Sequence, residues 1–255
     1  MKKLFFNIYF WLLFIVVTCF GLLILPLIIF VNVFILGRSL ASGLRRAIRF
    51  YGFVLVRLAS FLDPVRVEFR GDHLPAPVIF VANHNSAIDP YLFGLIVTEN
   101  GFVTSWPFKI PVYNIFMRLA GYVNAEAGWD EVRKNCGRLL EKGSSVTIWP
   151  EGHRSRDGRL GRFKNGAFAL SVETGFPIVP VCILGSGEVL PPGCRLLIPG
   201  TVRLVVLEPV YPENNDLKVE EKIHRLRSRV FSRIEETLQE KGHFCSRFSG
   251  VNSSA

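Results

Sequence analysis

The sequence predicts an α/β fold: a mostly parallel or mixed central sheet flanked by helices, preceded by an N-terminal membrane-embedded helical hairpin. Three observations predict it. Residues 4–36 carry no charged side chain, and short apolar runs then alternate with segments of helical periodicity. The chain also has a long amphipathic helix predicted over residues 216–241. At 255 residues the chain is long enough for the hairpin and one folded domain, which we place at residues 63–243.

The first element is the apolar segment. A helix over residues 4–36 would be about 50 Å long, whereas the hydrocarbon core of a bilayer is about 30 Å thick. Pro26 offers a break, so we expect a kinked or re-entrant hairpin. Lys2 and Lys3 precede the segment and Arg38 follows it, which predicts that both ends face the cytoplasm. A signal peptide is the alternative, but its apolar region is usually only about 7–15 residues.

Residues 37–62 mix arginines with apolar residues at helical spacing. They predict an interfacial amphipathic helix, so that residues 1–62 form the membrane-anchoring segment. The alternative is a helix packed on the domain with a solvated basic face. Asp63 and Pro64 mark the domain boundary, and residues 244–255 are predicted to be a disordered tail. In the interfacial interpretation four side chains lie near lipid phosphates: Arg45, Arg46, Arg49 and Arg57.

Strands and helices then alternate along the chain. Strands are predicted at Val65–Phe69, Val78–Val81, Phe102–Thr104, Tyr122–Val123, Val146–Trp149, Ile178–Leu184 and Val202–Leu207. Helices are predicted at Pro90–Thr98, Val112–Leu119, Asp130–Glu141 and Lys164–Thr174, before the long helix near the end.

Composition limits the class of partner. The formal charge of +9 suggests an anionic partner, either nucleic acid or an anionic membrane surface. The apolar N-terminal segment favours membrane lipid, and no helix-turn-helix or aromatic binding pattern supports nucleic acid. The five cysteines show neither metal-ligand spacing nor a paired framework. We therefore expect a reducing compartment and no metal site.

The first polar block is Asn83-His84-Asn85-Ser86-Ala87-Ile88-Asp89, directly after a predicted strand. Ligands of open α/β sheets bind beyond the carboxyl ends of strands, where this turn would lie. The spacing lets Asp89 accept a hydrogen bond from one imidazole nitrogen of His84 and leaves the other nitrogen as a base toward a hydroxyl. A structural histidine at a helix cap is the alternative. Because the sequence has no Gly-x-Ser-x-Gly motif, direct transfer without a covalent enzyme intermediate is preferred.

The second polar block, Pro150–Arg162, is rich in arginine and follows another buried strand. Guanidinium groups bind phosphate oxygens in pairs, so the loop suits a phosphate ester. Glu151 could position an arginine or contact a substrate hydroxyl, and Lys164 begins a helix whose N-terminus favours anions. The alternative is a solvated basic loop, or one that only touches lipid head groups.

Together the two blocks resemble the 1-acylglycerol-3-phosphate acyltransferase family of membrane glycerolipid acyltransferases. The pattern Asn-His-x-Ser-x-x-Asp is followed by Pro-Glu-Gly-x-Arg-Ser. The stretch from Phe108 to Gly121 resembles the second block of the family, and Gly175–Val181 resembles the fourth. The resemblance covers about residues 65–210, with four blocks in the family's order.

The resemblance implies a membrane O-acyltransferase in which His84 is the general base and Asp89 orients it. The hydroxyl of lysophosphatidic acid would attack the carbonyl of a fatty acyl thioester, carried on coenzyme A or acyl carrier protein, and give phosphatidic acid. No metal or other cofactor is implied, since the thioester is already activated. The active site would face the cytoplasm at the membrane. Substrate-binding roles fall to Asn83, Ser86, Lys109, Glu151, Gly152, Arg154, Ser155 and Lys164.

Two positions depart from the family pattern, both on the acceptor side. His153 stands where the third block usually has Thr, and no Arg follows Gly121 in the second block. Lys109, Arg118 or Arg156 could supply the missing cation. Two other functions therefore stay open: an acyltransferase for a different lysolipid, zwitterionic or derived from an amino acid, and a membrane-lipid binding protein without catalysis.

Overall fold

The computed structural model describes residues 2–60, 64–71 and 73–241. It confirms the predicted α/β class: within this part of the chain a seven-stranded sheet has the order β1-β7-β6-β2-β5-β3-β4. The strands are β1 Val65–Phe69, β2 Ile79–Ala82, β3 Asn100–Thr104, β4 Val123–Asn124, β5 Ser145–Ile148, β6 Ile178–Leu184 and β7 Val202–Val206. The domain bounds at residues 61–63 and the tail at 244–255 fall outside the described residues and stay predictions.

The sheet is mixed, as predicted. Neighbouring strands are parallel except for β6 and β7, which pair antiparallel. Because β1 pairs parallel with β7, these two strands run opposite to the other five. Every residue of β2 and β6 is buried, since helices cover both faces of the sheet. The central strands therefore read as continuous apolar runs, and their carboxyl ends open toward one edge.

Eight α-helices are described. They are α1 Lys2–Phe30, α2 Leu40–Ala59, α3 Asp89–Leu92, α4 Pro111–Leu119, α5 Trp129–Glu141, α6 Gly166–Thr174, α7 Ser186–Val189 and α8 Val219–Glu240. Successive residues of a strand point to opposite faces. Thus Ile79 packs in a core with α5, α6 and α8, whereas Phe80 packs in a second core with α1, α2 and α3. The two cores fix the sheet between the two helical layers.

The apolar N-terminal segment is a single helix through Pro26, extended by a π-helical turn at Val31–Ile35. The expected break at Pro26 is therefore wrong: the chain reverses at residues 36–39, and the hairpin consists of α1 and α2. A long apolar helix tolerates the loss of the one backbone hydrogen bond that proline cannot make, because the neighbouring turns keep their hydrogen bonds. Among the described helices, this one (residues 3–35) is long and apolar enough to cross a membrane.

Contacts along the whole hairpin hold α1 against α2 and against the domain. The hydroxyl of Tyr9 donates to the carbonyl of Leu58, and the hydroxyls of Thr18 and Tyr51 are 2.8 Å apart. At the start of α1 the amide of Asn7 exchanges two hydrogen bonds with the backbone of Leu197, at 2.9 and 2.7 Å. The apolar helix is thus fastened to the folded domain near its beginning.

Helix α2 packs on the domain, and two of the arginines expected near lipid phosphates bond to protein groups instead. Arg45 is only 4% exposed and donates to Glu99, to the carbonyl of Ala120 and to Ser144. Arg49 donates to the carbonyls of residues 94 and 96. These two guanidinium groups therefore have partners within the protein. The reason is that burying α2 against the sheet requires a partner for each charge it carries inward.

The closest approach of α2 to the domain depends on glycine at position 94. A Cβ at Gly94 would meet the backbone nitrogen of Phe53 and lie 2.6 Å from the carbonyl carbon of Gly52, and backbone atoms cannot move aside cheaply. We expect Gly94→Ala to lower the free energy of unfolding by about 1–3 kcal/mol, the range for an overpacked core. Denaturant unfolding measures this. The control is Gly137→Ala on α5, where a Cβ meets nothing within 4 Å and should stabilise the helix slightly; equal destabilisation by both changes would contradict the prediction.

Candidate active site

The two polar blocks meet at the carboxyl ends of β2 and β5, which pair as parallel neighbours. The backbone N–H of His84 donates to Oε1 of Glu151 at 3.1 Å. The N–H of Ser155 donates to the carbonyl of His84 at 2.7 Å. The two loops lie together because neighbouring parallel strands end at the same edge of the sheet.

A histidine and a carboxylate form the centre of this site. Nδ1 of His84 is 2.8 Å from Oδ2 of Asp89, and Asp89 is fully buried. The same oxygen accepts the backbone N–H groups of Asn85 and Ser86, each at 2.8 Å. The carboxylate is thus fixed by the turn that carries the histidine. With Nδ1 bound to Asp89, Nε2 is the nitrogen left to act on a substrate.

Trp149 fixes the plane of the imidazole. The two rings stack with centroids 4.3 Å apart and an angle of 18° between their planes. Trp149 itself makes an edge contact with Phe93 and a stacked contact with Phe102. The sequence indicated Trp149 only as the end of a strand. Its position at the carboxyl end of β5, directly before the second polar block, was the signal that could have placed it in the site.

A cavity of about 290 Å³ opens beside His84. It extends along β3 between α2 and α4, and Arg154 and Arg49 also line it. Its walls are mostly apolar, which suits a hydrocarbon chain, while the histidine and Arg154 suit a polar head. Arg49 was not predicted to be near His84 and Asp89. The apolar lining includes Phe93, Phe102, Trp106, Tyr113, Met117 and Trp149.

Three residues predicted to bind substrate have bonding partners within the fold. Asn83 is 2% exposed, and its amide exchanges hydrogen bonds with the backbone of Ile183 on β6. The hydroxyl of Ser86 donates to the carbonyl of Leu190. The two oxygens of Glu151 accept backbone N–H groups from each polar block. These side chains hold the loops, because buried polar groups must be satisfied, and their contacts with substrate stay a prediction.

Glu151 joins the two loops from a buried position. Burial raises the pKa of its carboxyl, although hydrogen bonds from the N–H groups of Gly161 and His84 and the nearby His153 act in the opposite direction. Its oxygens lie 2.8 Å from the nitrogen of Gly161 and 3.1 Å from that of His84. Glu151 is therefore a positioning residue that sets the distance between the histidine and the basic loop.

Around the second block, the remaining predicted residues divide between the site and the surface. Gly152 has a φ of +78°, a conformation that favours glycine, and the Nζ of Lys164 lies 2.6 Å from where its Cβ would be. Lys164 therefore lies directly on the turn that precedes Arg154. The hydroxyl of Ser155 is within hydrogen-bond distance of Asp157 and of the carbonyl of Arg159, so it closes the basic loop.

The cations suggested as substitutes for the missing second-block arginine lie elsewhere. Lys109 is 61% exposed and pairs with Glu126 at 2.7 Å, outside the cavity. Arg118 donates its Nε to Asn114 and lines a different cavity. Arg156 is exposed and does not line the catalytic cavity. Of the predicted substrate-binding cations, Arg154 is the one that lines the cavity with His84, whereas Lys164 lies against Gly152.

The fold and this site are similar to those of a known protein family. Residues 66–184 match the family model described as Acyltransferase, and the resemblance drawn from the two polar blocks is confirmed. Both blocks lie within the matched residues.

Particular relatives support the same family. The chain is 35% identical over 166 residues to the chloroplastic 1-acyl-sn-glycerol-3-phosphate acyltransferase BAT2 of Brassica napus, covering 61% of this chain and 48% of that protein. It is 33% identical over 162 residues to chloroplastic LPAT1 of Arabidopsis thaliana, covering 60% and 46%. The chain thus spans about half the length of these curated relatives.

A solved structure matches nearly the whole chain. The crystal structure of the 1-acyl-sn-glycerophosphate (LPA) acyltransferase PlsC from Thermotoga maritima superposes with a TM-score of 0.70 and 26% identity, covering 96% of this chain and 98% of that one. The likeness therefore includes the N-terminal helices as well as the sheet.

Proposed function

We propose that this protein is a membrane-bound O-acyltransferase that transfers a fatty acyl group from an acyl thioester to the free hydroxyl of lysophosphatidic acid, giving phosphatidic acid. The observation that carries the proposal is the His84–Asp89 pair beside an apolar cavity that also has Arg154 in its wall. A base, an apolar channel and a phosphate-binding cation are the three groups that this transfer requires. The names of the relatives point to the same acceptor.

The chemistry would proceed in two proton transfers. Nε2 of His84 takes the proton of the acceptor hydroxyl while the oxygen attacks the thioester carbonyl. The attack forms the new C–O ester bond and gives a tetrahedral adduct. Collapse of this adduct restores the carbonyl and breaks the C–S bond. The leaving thiolate then takes the proton back from the imidazolium. Asp89 stabilises the imidazolium between these steps, and it does so without moving because two backbone N–H groups hold it.

Binding would divide between the two parts of the cavity. The acyl chain lies among the apolar side chains along β3, and the phosphate of the acceptor lies near Arg154 and Lys164 at the mouth. A thioester is already activated, so we propose that the reaction uses no metal or other cofactor, with acyl-CoA or acyl carrier protein as co-substrate. Helix α1 keeps this site at a membrane, and we propose that the site faces the cytoplasm.

A different lysolipid acceptor is favoured by one observation. Neither Lys109 nor Arg118 reaches the catalytic cavity, so fewer cations surround it than the family pattern implies. An acceptor without a phosphomonoester would need fewer. The reaction would be the same, and only the acceptor head group would change.

The decisive experiment gives the purified protein a panel of lysolipids with each thioester donor and identifies the products by lipid mass spectrometry. We expect Arg154→Ala to lower kcat/KM for lysophosphatidic acid by about tenfold or more, since hydrogen bonds to charged groups contribute about 1.5–3 kcal/mol. Arg156→Ala, in the same loop but outside the cavity, is the matched control. Poor turnover of lysophosphatidic acid, with a kcat/KM that Arg154→Ala leaves unchanged, would establish the other acceptor instead. Consumption of the thioester without acylation of any lysolipid in the panel would exclude both acceptors.

A further inference from the structure

A second and larger cavity lies next to the catalytic one. It has a volume of about 640 Å³ and lies between the start of α2, the end of α4 and one face of α5. Tyr122 lines both cavities, so they are neighbours across a single side chain. The proposed acyl transfer assigns it no role. Its volume is within the range of small-molecule sites, which is roughly 300–1,000 Å³.

Cations dominate the lining of this cavity. Five positive side chains and two carboxylates face it: Arg45, Arg46, Arg118, Arg138 and Lys142, with Glu99 and Glu131. Glu99 is already bound by Arg45 at 2.8 Å and by Arg46 at 3.0 Å, so it does not repel an incoming anion strongly. Burial acts to raise the pKa of Glu99, but the hydrogen bonds from Ser42 and Arg45 hold that pKa below its usual value.

The other cations are not neutralised by the protein. Arg118 bonds through Nε to Asn114, which is uncharged. Arg138 and Lys142 are exposed and have no ion pair in the described part of the chain. Arg138 lies in the last turn of α5 and Lys142 is the residue that follows this helix, and both side chains line the cavity. Three cations thus converge on one cavity with Glu131 as the remaining carboxylate, and a bound anion would relieve their repulsion.

We infer that this cavity is a binding site for a phosphate-class anion, a site beyond the proposed catalytic one. Guanidinium forks bind phosphate oxygens in pairs, and an ammonium group adds a point charge. Two sources carry this chemistry. One is the head group of an anionic lipid, since the cavity begins at α2, directly after the apolar helix α1. The other is a soluble phosphorylated compound. Both would contact Arg138 and Lys142.

The test measures binding to the full-length protein in a neutral detergent, without any acyl donor. Isothermal titration uses inorganic pyrophosphate as the soluble probe and dihexanoyl phosphatidylglycerol as the lipid probe, with dihexanoyl phosphatidylcholine as the neutral reference. We expect the double variant Arg138→Gln/Lys142→Gln to weaken binding of the recognised probe by about tenfold or more. Higher ionic strength should also weaken binding of the probe by the wild-type protein.

Two matched variants separate the site from general charge. Lys134→Gln/Lys218→Gln removes two exposed cations outside the cavity and should change binding less than about twofold. Arg138→Lys/Lys142→Arg keeps both charges and should retain binding. If Arg138→Gln/Lys142→Gln loses binding of pyrophosphate, the ligand is a soluble compound. If it loses binding of phosphatidylglycerol alone, the ligand is a lipid head group. No binding of either probe, or equal binding by the cavity and control variants, overturns the site whatever the outcome of the acyl-transfer assays.

Discussion

His84→Ala is expected to lower the rate of acyl transfer by at least about 100-fold, the lower range for loss of a general base. Nε2 of this residue is the nitrogen free to take the hydroxyl proton, because Nδ1 is bound to Asp89. Initial rates with a saturating thioester donor measure the effect. The histidine is only partly buried, so the variant should fold, and circular dichroism checks this.

The control for this change is His153→Ala, an exposed histidine in the neighbouring basic loop. It should keep most of the activity, since it does not line the catalytic cavity. Turnover of His84→Ala close to that of the wild-type protein would rule out His84 as the base. Lipid binding by the wild-type protein with no thioester consumption would instead support a protein that binds lipid without catalysis.

Asp89→Asn is expected to lower kcat by about 100-fold or more while KM and the melting temperature change little. Oδ2 of Asp89 accepts three hydrogen bonds, whereas Oδ1 has no partner within the described residues. An asparagine can place its amide oxygen where Oδ2 lies and its NH₂ group where Oδ1 lies. The substitution therefore removes the negative charge and leaves the turn in place.

A pH profile of kcat separates this loss of charge from misfolding, and Asp157→Asn is the control. Asp157 is an exposed acid that bonds within the neighbouring loop, so its substitution should leave kcat within about twofold. If Asp89→Asn kept a normal kcat, or if it lost activity only by unfolding, the orienting role of Asp89 would be wrong.

Most of the sheet could be predicted from sequence because its signal is local. Val65–Phe69 and Ile178–Leu184 were predicted with their observed bounds, and the other strands within one or two residues. The predicted helix at Pro90–Thr98 is shorter, ending as a 3₁₀ turn at Phe93–Leu95. The short helix α7 was not predicted, since four residues are too few for a periodic pattern.

What the sequence could not reveal depends on partners far along the chain. Arg45 bonds to Glu99, 54 residues away, and Asn83 bonds to Ile183, 100 residues away. Residue type and spacing indicate that such a side chain is polar but not which group it contacts. For that reason the hydrogen bond between His84 and Asp89, which are five residues apart, was predicted. The partners that Asn83, Ser86 and Glu151 have within the fold were not.

The two hydrogen bonds between Asn7 and Leu197 have a consequence for how the proposed enzyme would find its lipid. They tie the apolar helix to the loop before β7, and Arg45 ties α2 to the start of β3. The domain is therefore not joined to α1 by a flexible tether, and the histidine stays at a fixed distance from that helix. With α1 in a bilayer, as the proposed function requires, the histidine would stay at a fixed depth, and the search for a lysolipid would take place in two dimensions, by lateral diffusion of the lipid to the mouth of the cavity.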